Sequence, residues 1–124
     1  MDDLIAWLRA QLDEDERVAQ EQPPFPWRAV GDEVWASDNY PVADAFALSS
    51  NQTRHVAAFI ALHDPARVLR EVESKRLLLN QFELRGNSVR ATVVPSTGGV
   101  WDDLLRLLAL PFADRPGYRE EWRP

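Results

Sequence analysis

Leucines recur at every fourth position near the start of the chain. Leu4, Leu8 and Leu12 lie on one side of an α-helix, because residues four apart are neighbours on a helix surface. This spacing predicts an amphipathic helix over residues 2–21. The segment EQPPFP follows, and its prolines end the helix because a proline ring clashes with the preceding turn and has no N–H to donate.

Between Trp27 and Leu48 the apolar positions have the shorter spacing of β-strands. Three runs, WRAV, EVWAS and PVADAFAL, are separated by the turn-forming segments GD and SDNYP. They predict a small antiparallel sheet of two or three strands over about residues 27–48. A sheet of this size is marginally stable alone, so a helix is expected to pack against one of its faces.

Helical spacing returns after residue 48. Three further helices are predicted, over about residues 50–63, 65–84 and 98–110. In the first of them Val56, Phe59, Ile60 and His63 fall on one side and form its apolar face. The chain is therefore predicted to have an α+β fold, in which an N-terminal helix precedes a small sheet and three helices pack on that sheet.

The junction between the first two of these helices reads HDPARVL. Asp64 can accept hydrogen bonds from the first free N–H groups of a helix, and Pro65 suits the first helical position, where its missing N–H costs nothing. Asp64 is thus predicted to be an N-cap. Gly86 is expected to end the helix, and the segment SVRATVV, residues 88–94, has the composition of an edge strand.

The final predicted helix is apolar on nearly every side. Its leucines span most of the circumference at 100° per residue, and they are Leu104, Leu105, Leu107, Leu108 and Leu110. Such a helix lies either at the centre of a core or in an interface. Because a short chain has few elements to surround it, we expect a two-fold homodimer, the commonest oligomer, with Leu105, Leu108 and Trp122 in the contact.

Length and composition agree with a single domain. The chain has 124 residues, of which 45% are hydrophobic and 10% aromatic, enough to form a core. We expect residues 1–22 to form an acidic helix, residues 23–48 a β-hairpin or meander, and residues 49–124 a helical part with a packed C-terminal tail.

Net charge and the absence of targeting signals predict where the protein acts and which partners it lacks. The net charge of −6 gives no electrostatic attraction to phosphate backbones, so direct nucleic-acid binding is not expected. No apolar run reaches the roughly 18 residues of a membrane helix, and the acidic N-terminus is unlike a basic signal peptide. With no cysteine to form disulfides or hold zinc, a cytoplasmic protein without a membrane partner is expected.

Residue patterns for catalysis or metal binding are weak. His55 and His63 are eight residues apart on one helix, which puts them about 12 Å apart along its axis, too far to share one ion. The serines lack the sequence context of a nucleophile, and neighbouring acids such as Asp102 and Asp103 point about 100° apart on a helix. We therefore expect no catalytic residue, no metal, no cofactor and no enzymatic activity.

Two segments resemble a known family. HVAAFIALHDPARVLREVESKR, residues 55–76, and LRLLALPFADRPGYREEWRP, residues 105–124, are similar to blocks of small uncharacterised proteins from actinobacteria and their phages. Members of that family often carry a further histidine where this chain has Phe59. The resemblance brings no known activity. It implies an accessory gene of phage type rather than a housekeeping enzyme.

Two functions are compatible with the sequence. In the first, the protein is a non-enzymatic module that binds an unidentified host or phage protein through an acidic or aromatic surface, for example as an inhibitor of defence. In the second, it binds or hydrolyses a small nucleotide-like ligand in a pocket of arginines and aromatic rings. The residues considered for such a surface are Arg67, Arg70 and Arg76 with Trp27, Trp35 and Tyr40. Glutamates interleave with these arginines, which favours a solvated, self-paired helix face.

Overall fold

The computed structural model describes residues 2–23, 25–37, 40–46, 49–92 and 99–124, and it confirms the α+β fold. The elements in chain order are α1 (Asp2–Gln20), β1 (Trp27–Val30), β2 (Glu33–Ala36), β3 (Pro41–Asp44), α2 (Ser50–Leu62), α3 (Pro65–Thr92) and α4 (Gly99–Ala109). Two short 3-10 helices follow, Leu110–Phe112 and Glu120–Trp122. Within these ranges no helix has both the length and the apolar composition to cross a membrane.

The residues form two compact units. The terminal unit comprises Met1–Glu14 and Val72–Pro124, and the central unit comprises Asp15–Glu71. Each unit has its own buried apolar side chains, and α1 and α3 each contribute residues to both units. The single domain that the chain length predicts stays a prediction.

The central unit contains a three-stranded antiparallel sheet in the order β1-β2-β3. A two-residue turn joins β1 to β2, and Gly31 has φ +63° there, a left-handed conformation that glycine adopts without steric cost. Along β2, Val34 and Ala36 are buried and alternate with Glu33 and Trp35. One face of the sheet is therefore the core face.

α2 covers the core face of this sheet by packing on β1 and β2. The buried centre of the core is formed by Val34, Ala45 and Ala57. Partly buried side chains surround it, and they are Trp27, Val42, Ala43, Ile60 and Ala61. The sheet thus has the covering helix that its small size requires.

In the terminal unit α1 buries the predicted leucine stripe. Leu4, Leu8 and Leu12 are almost fully buried. Leu8 and Leu12 line one apolar region together with Leu79 of α3 and with Phe112, which follows α4. The spacing of four residues therefore identified the buried face of α1 correctly. Further buried side chains of this unit are Val72, Phe82, Leu105, Ala109 and Trp122.

The C-terminal segment packs on the first turns of α1. The indole N–H of Trp7 donates to the carbonyl oxygen of Pro116 at 3.1 Å, and its ring contacts the rings of Tyr118 and Trp122. The guanidinium of Arg119 lies over the Trp122 ring at 5.1 Å from its centroid. Aromatic contacts thus hold the two ends of this unit's sequence together.

α3 is longer than the sequence predicts. It runs from Pro65 to Thr92 and continues through Gly86, the predicted end of the helix. Residues 88–92 are helical, so the predicted edge strand is wrong there, and residues 93–94 lie outside the described ranges. Extending an existing helix adds a hydrogen bond for each residue without a new nucleation step, which offsets the cost of about 1 kcal/mol for one glycine.

Candidate interaction surface

The start of α2 is fixed by local hydrogen bonds. The hydroxyl of Ser49 accepts the N–H of Gln52 at 3.2 Å, as an N-cap does. The hydroxyl of Thr53 donates to the carbonyl oxygen of Ser50 at 2.8 Å. At the other end, the N–H of His63 donates to Ile60 and closes the last turn. These contacts fix where α2 begins and ends.

α2 buries Ala57 against the sheet and leaves three of its larger apolar side chains in solvent. Ala57 is fully buried, whereas Phe59 is 66% exposed, Leu62 59% and Val56 40%. Large apolar side chains gain most from burial and alanine gains least, so a helix that packed only on this sheet would be expected to have the opposite orientation. These three larger apolar side chains of α2 therefore form an exposed patch on the helix.

The inner side of α2 packs on a core that includes a large side chain of the sheet. Trp27 lies on the core face and packs against the buried centre of the unit. From the helix, Ala57 lies in the buried centre, and Ile60 and Ala61 pack against it. Of the four residues on the predicted apolar face, Ile60 packs against the core and the other three are exposed. The predicted apolar face and the packed face therefore overlap only at Ile60.

The exposed side of the helix is termed the outer α2 face, and its residues are His55, Val56, Phe59, Leu62 and His63. The His63 ring packs on the Phe59 ring at 4.4 Å between centroids, and its Nδ1 lies 2.8 Å from the Phe59 carbonyl oxygen. The sequence of α2 contains no Asp or Glu. The outer α2 face is thus apolar at its centre, with an imidazole on either side.

The two histidines share this face without a set of metal ligands around them. His55 and His63 are both exposed. Across the part of the chain that the structure describes, no three His, Asp or Glu side chains come together in a group that could hold a metal ion. The exposed centre of the outer α2 face is formed by Val56, Phe59 and Leu62.

Asp64 caps α3 and also holds a strand. Its Oδ1 accepts the N–H of Arg67 at 2.9 Å, which confirms the predicted N-cap. Its Oδ2 accepts the N–H of Trp27 at 3.3 Å. The two carboxylate oxygens thus tie the start of α3 to the first residue of β1. Sequence patterns gave no sign of the second bond, because its partners are 37 residues apart in the chain.

The three arginines considered for a basic surface serve different contacts. Nε of Arg67 pairs with Glu71 at 3.0 Å, one helical turn away. Arg70 is exposed on the same helix. Arg76 belongs to the terminal unit and pairs with Asp13 at 2.5 Å. The Arg67 pair is a self-neutralised contact of the kind that the interleaved glutamates indicate.

The aromatic residues considered with them do not share a face of the sheet. Trp27 pairs across the strands with Ala36, on the core face of the sheet. Trp35 precedes Ala36 in β2, so its side chain points to the other face. The indole N–H of Trp35 donates to Glu33 at 2.6 Å. Tyr40 is exposed just before β3. The two tryptophans therefore cannot line one pocket.

The residues expected at a dimer face are largely buried within one copy. Leu105 is 3% exposed and Trp122 5%, and Leu108 is partly buried. Packing inside the terminal unit therefore accounts for these side chains without a second copy. The exposed apolar side of α4 is formed by Val100, Leu104 and Leu107. Self-association itself stays a prediction.

One carboxyl near the C-terminus has a shifted pKa. Arg123 donates through Nε to Glu120 at 2.5 Å. This hydrogen bond, with the positive charge of the guanidinium, holds the pKa of Glu120 below its ordinary value. Both side chains are exposed. The pair is a local surface contact of the last 3-10 helix.

The full length of the chain corresponds to one protein family. Residues 1–124 match the model of a family described as a family of unknown function, DUF6221. No curated protein and no solved structure matches the chain.

Proposed function

Because the chain belongs to DUF6221, a family of unknown function, we propose a role from its geometry: a non-enzymatic module that docks on another protein through the outer α2 face. The observation that carries this proposal is the inverted burial of α2, with Ala57 inside and Phe59 outside. A partner with an apolar groove would cover the side chains that the fold itself leaves in water.

The free energy available to such a partner is substantial. Fully burying one Val, Leu or Phe side chain is worth roughly 1.5–3 kcal/mol relative to leaving it in water. Val56, Phe59 and Leu62 are spaced three residues apart, so they form a continuous ridge along the helix. This ridge suits helix-in-groove recognition, in which apolar anchors of one helix fill a cleft in the partner.

The resemblance to small phage proteins suggests the biological setting. A protein that acts without catalysis affects its target by occupying a surface. An inhibitor of a host defence protein is one form that this function would take.

A nucleotide-like ligand has less support. Its pocket would need the arginines beside Trp27, Trp35 or Tyr40, and the two tryptophans cannot both stack on one ligand because they lie on opposite faces of the sheet. Arg67 is paired with Glu71, so it would have to leave that carboxylate before it bound a phosphate.

Photo-crosslinking at position 59 tests the docking proposal. Phe59 is replaced by p-benzoylphenylalanine, which keeps an aromatic ring at the surface, and Leu77 of α3, 58% exposed, is replaced in the same way as a matched control. The expected result is one dominant adduct with another protein at position 59 and none at position 77. Excess unmodified protein should compete this adduct away, whereas the Phe59→Glu variant should not.

Equal adducts at both positions would contradict the proposal. So would competition by Phe59→Glu that is as effective as competition by the unmodified protein. The comparison requires a folded variant, and circular dichroism checks it. Because Phe59 is exposed, its replacement should leave the melting temperature within about 3 °C of the original.

A further inference from the structure

The sequence of the outer α2 face is nearly symmetric about Phe59. In HVAAFIALH, residues 55–63, alanine lies two residues from the phenylalanine on each side, a branched aliphatic residue three away and histidine four away. Val56 is thus matched by Leu62, and His55 by His63. The one mismatch is at the two immediate neighbours of Phe59, which are alanine and isoleucine.

The helix carries this symmetry into space. At 100° per residue, His55 and His63 lie about 40° to either side of Phe59, and Val56 and Leu62 about 60° to either side. Along the axis these side chains reach about 6 Å in each direction, at a rise of 1.5 Å per residue. Phe59 is therefore the centre of the face both around the helix and along it, and all five residues are exposed.

We propose that the outer α2 face pairs with the same face of a second copy of this chain, with the helices antiparallel and the two Phe59 side chains at the two-fold axis. This inference rests on the proposed function, since it names one partner of the same surface. A two-fold contact is isologous, so the same patch must be complementary to itself. In the antiparallel arrangement Val56 lies at the level of Leu62 of the second copy, and Phe59 meets Phe59.

The charge distribution favours this face for self-contact. The chain has a net charge of −6, so contacts through many of its surfaces would bring acidic side chains of two copies together. α2 contains no Asp or Glu. Its one arginine, Arg54, lies about 140° from Phe59 around the helix, outside the contact sector. Two α2 helices can therefore pair without opposing acidic side chains.

The proposed contact would bury a small area, so the dimer should be weak. Two paired helices of 13 residues are about 20 Å long, and they bury less than the roughly 1,200 Å² at which stable interfaces begin. We therefore expect a weak dimer, with a dissociation constant on the order of 10–100 µM. Because both contacts use the outer α2 face, self-pairing and docking on a different protein exclude each other. At concentrations below the dissociation constant the face is free for a different protein.

Single-cysteine crosslinking tests the pairing, because the natural sequence contains no cysteine. Val56→Cys and Leu62→Cys variants are mixed at about 100 µM and joined by a short bismaleimide; at this concentration a weak dimer is populated. The antiparallel pair predicts that the mixed adduct exceeds either homo-adduct several-fold. Leu77→Cys, mixed with either variant, is the matched control for random collisions between exposed positions.

Homo-adducts that equal or exceed the mixed adduct would overturn the antiparallel pairing. The pairing would also be overturned if the yield of the mixed Val56→Cys and Leu62→Cys adduct were no greater than the yield of either variant with Leu77→Cys. Sedimentation equilibrium adds a second measurement: the unmodified chain should rise above its monomer mass of 14.2 kDa with concentration, and Phe59→Glu should remain at that mass. A monomer at every concentration refutes self-pairing.

The two proposals fail in different ways. If the chain is a monomer but position 59 still crosslinks to a different protein, self-pairing is refuted and docking stands. If position 59 crosslinks to neither a second copy nor another protein, both are refuted.

Discussion

Gly117 lies against the indole of Trp7. A Cβ atom at position 117 would be 2.8 Å from Nε1 of Trp7, closer than side-chain carbons approach their neighbours. The φ angle of Gly117 is +86°, which residues with a side chain rarely adopt. The next residue in the chain, Tyr118, places its ring edge against the same indole. The turn at Gly117 therefore lets the C-terminal aromatic rings reach α1.

Gly117→Ala should destabilise the protein by about 2–4 kcal/mol, because backbone strain and a side-chain overlap add together. The midpoint of urea unfolding measures the loss. Gly31→Ala is the matched control, since Gly31 also has a positive φ but has open space around it. Its cost should be about 1–2 kcal/mol, from backbone strain alone. Equal losses in the two variants would show that the contact with Trp7 contributes nothing.

Replacing Asp64 should cost more than the loss of an N-cap alone. Asp64→Ala removes both the capping bond from the Arg67 N–H and the bond from the Trp27 N–H. We therefore expect the free energy of unfolding to fall by about 2–3 kcal/mol. Asp64→Asn keeps one oxygen and turns an NH₂ group toward a second N–H donor, for an expected loss of about 1–2 kcal/mol. Thermal unfolding followed by circular dichroism measures both.

Asp64→Ser separates the two bonds. A serine hydroxyl can cap the helix but is too short to reach both partners. The Asp64→Ser variant should therefore lose only the hydrogen bond to Trp27, at a cost of about 1 kcal/mol of stability. If both Asn and Ser at position 64 were neutral, Asp64 would be a cap only and the strand contact would carry no free energy.

Much of the fold follows from apolar spacing and from the residues that interrupt it. The leucine stripe of α1, the proline-rich segment after it and the Asp64–Pro65 start of α3 all have local causes, so the sequence indicates them. Gly86 was misleading because a glycine weakens a helix without necessarily ending it. The length of α3 depends on the cooperativity of the whole helix, which a local pattern does not contain.

The exposed face of α2 was harder to predict. The spacing of apolar residues shows which of them share a side of the helix, but it does not show which side packs on the sheet. In α2 the expected apolar face contains Phe59, whereas the packed face contains Ala57 and Ala61. Alanines four residues apart indicate where another element can approach closely, and that signal was available in the sequence. The position of Trp27 beneath them depends on strand register, which the sequence left open.

Acid should weaken the pair between Arg123 and Glu120. The pKa of Glu120 lies below its ordinary value in the folded chain, so the pair stabilises the fold at pH values above the unfolded pKa. This contribution is lost as the pH falls through the folded pKa. Carboxyl NMR should give Glu120 a lower titration midpoint in the natural sequence than in Arg123→Gln. Identical midpoints would show that the guanidinium does not act on this carboxyl.

Replacing Leu105 should destabilise the protein far more than the same replacement of Leu107, because α4 buries the first and exposes the second. Leu105 is 3% exposed and Leu107 52%. Leu105→Glu puts a carboxylate into the core of the terminal unit and should cost about 4 kcal/mol or more, enough to abolish cooperative unfolding of that unit. Leu107→Glu should cost no more than about 1 kcal/mol. Melting curves and near-ultraviolet circular dichroism distinguish these outcomes.

The same pair of variants decides how α4 relates to self-association. A dimer contact through Leu105 would make Leu105→Glu a folded monomer, because the charge would face water once the copies separated. Burial within one copy predicts instead that the variant loses its fixed aromatic environment at every concentration. Since Leu107 is exposed, Leu107→Glu is the one of these two variants that could produce a folded monomer from a dimer that forms through α4. A folded, monomeric Leu105→Glu variant with native near-ultraviolet signal would therefore restore the sequence-based interpretation and contradict the packing described for this helix.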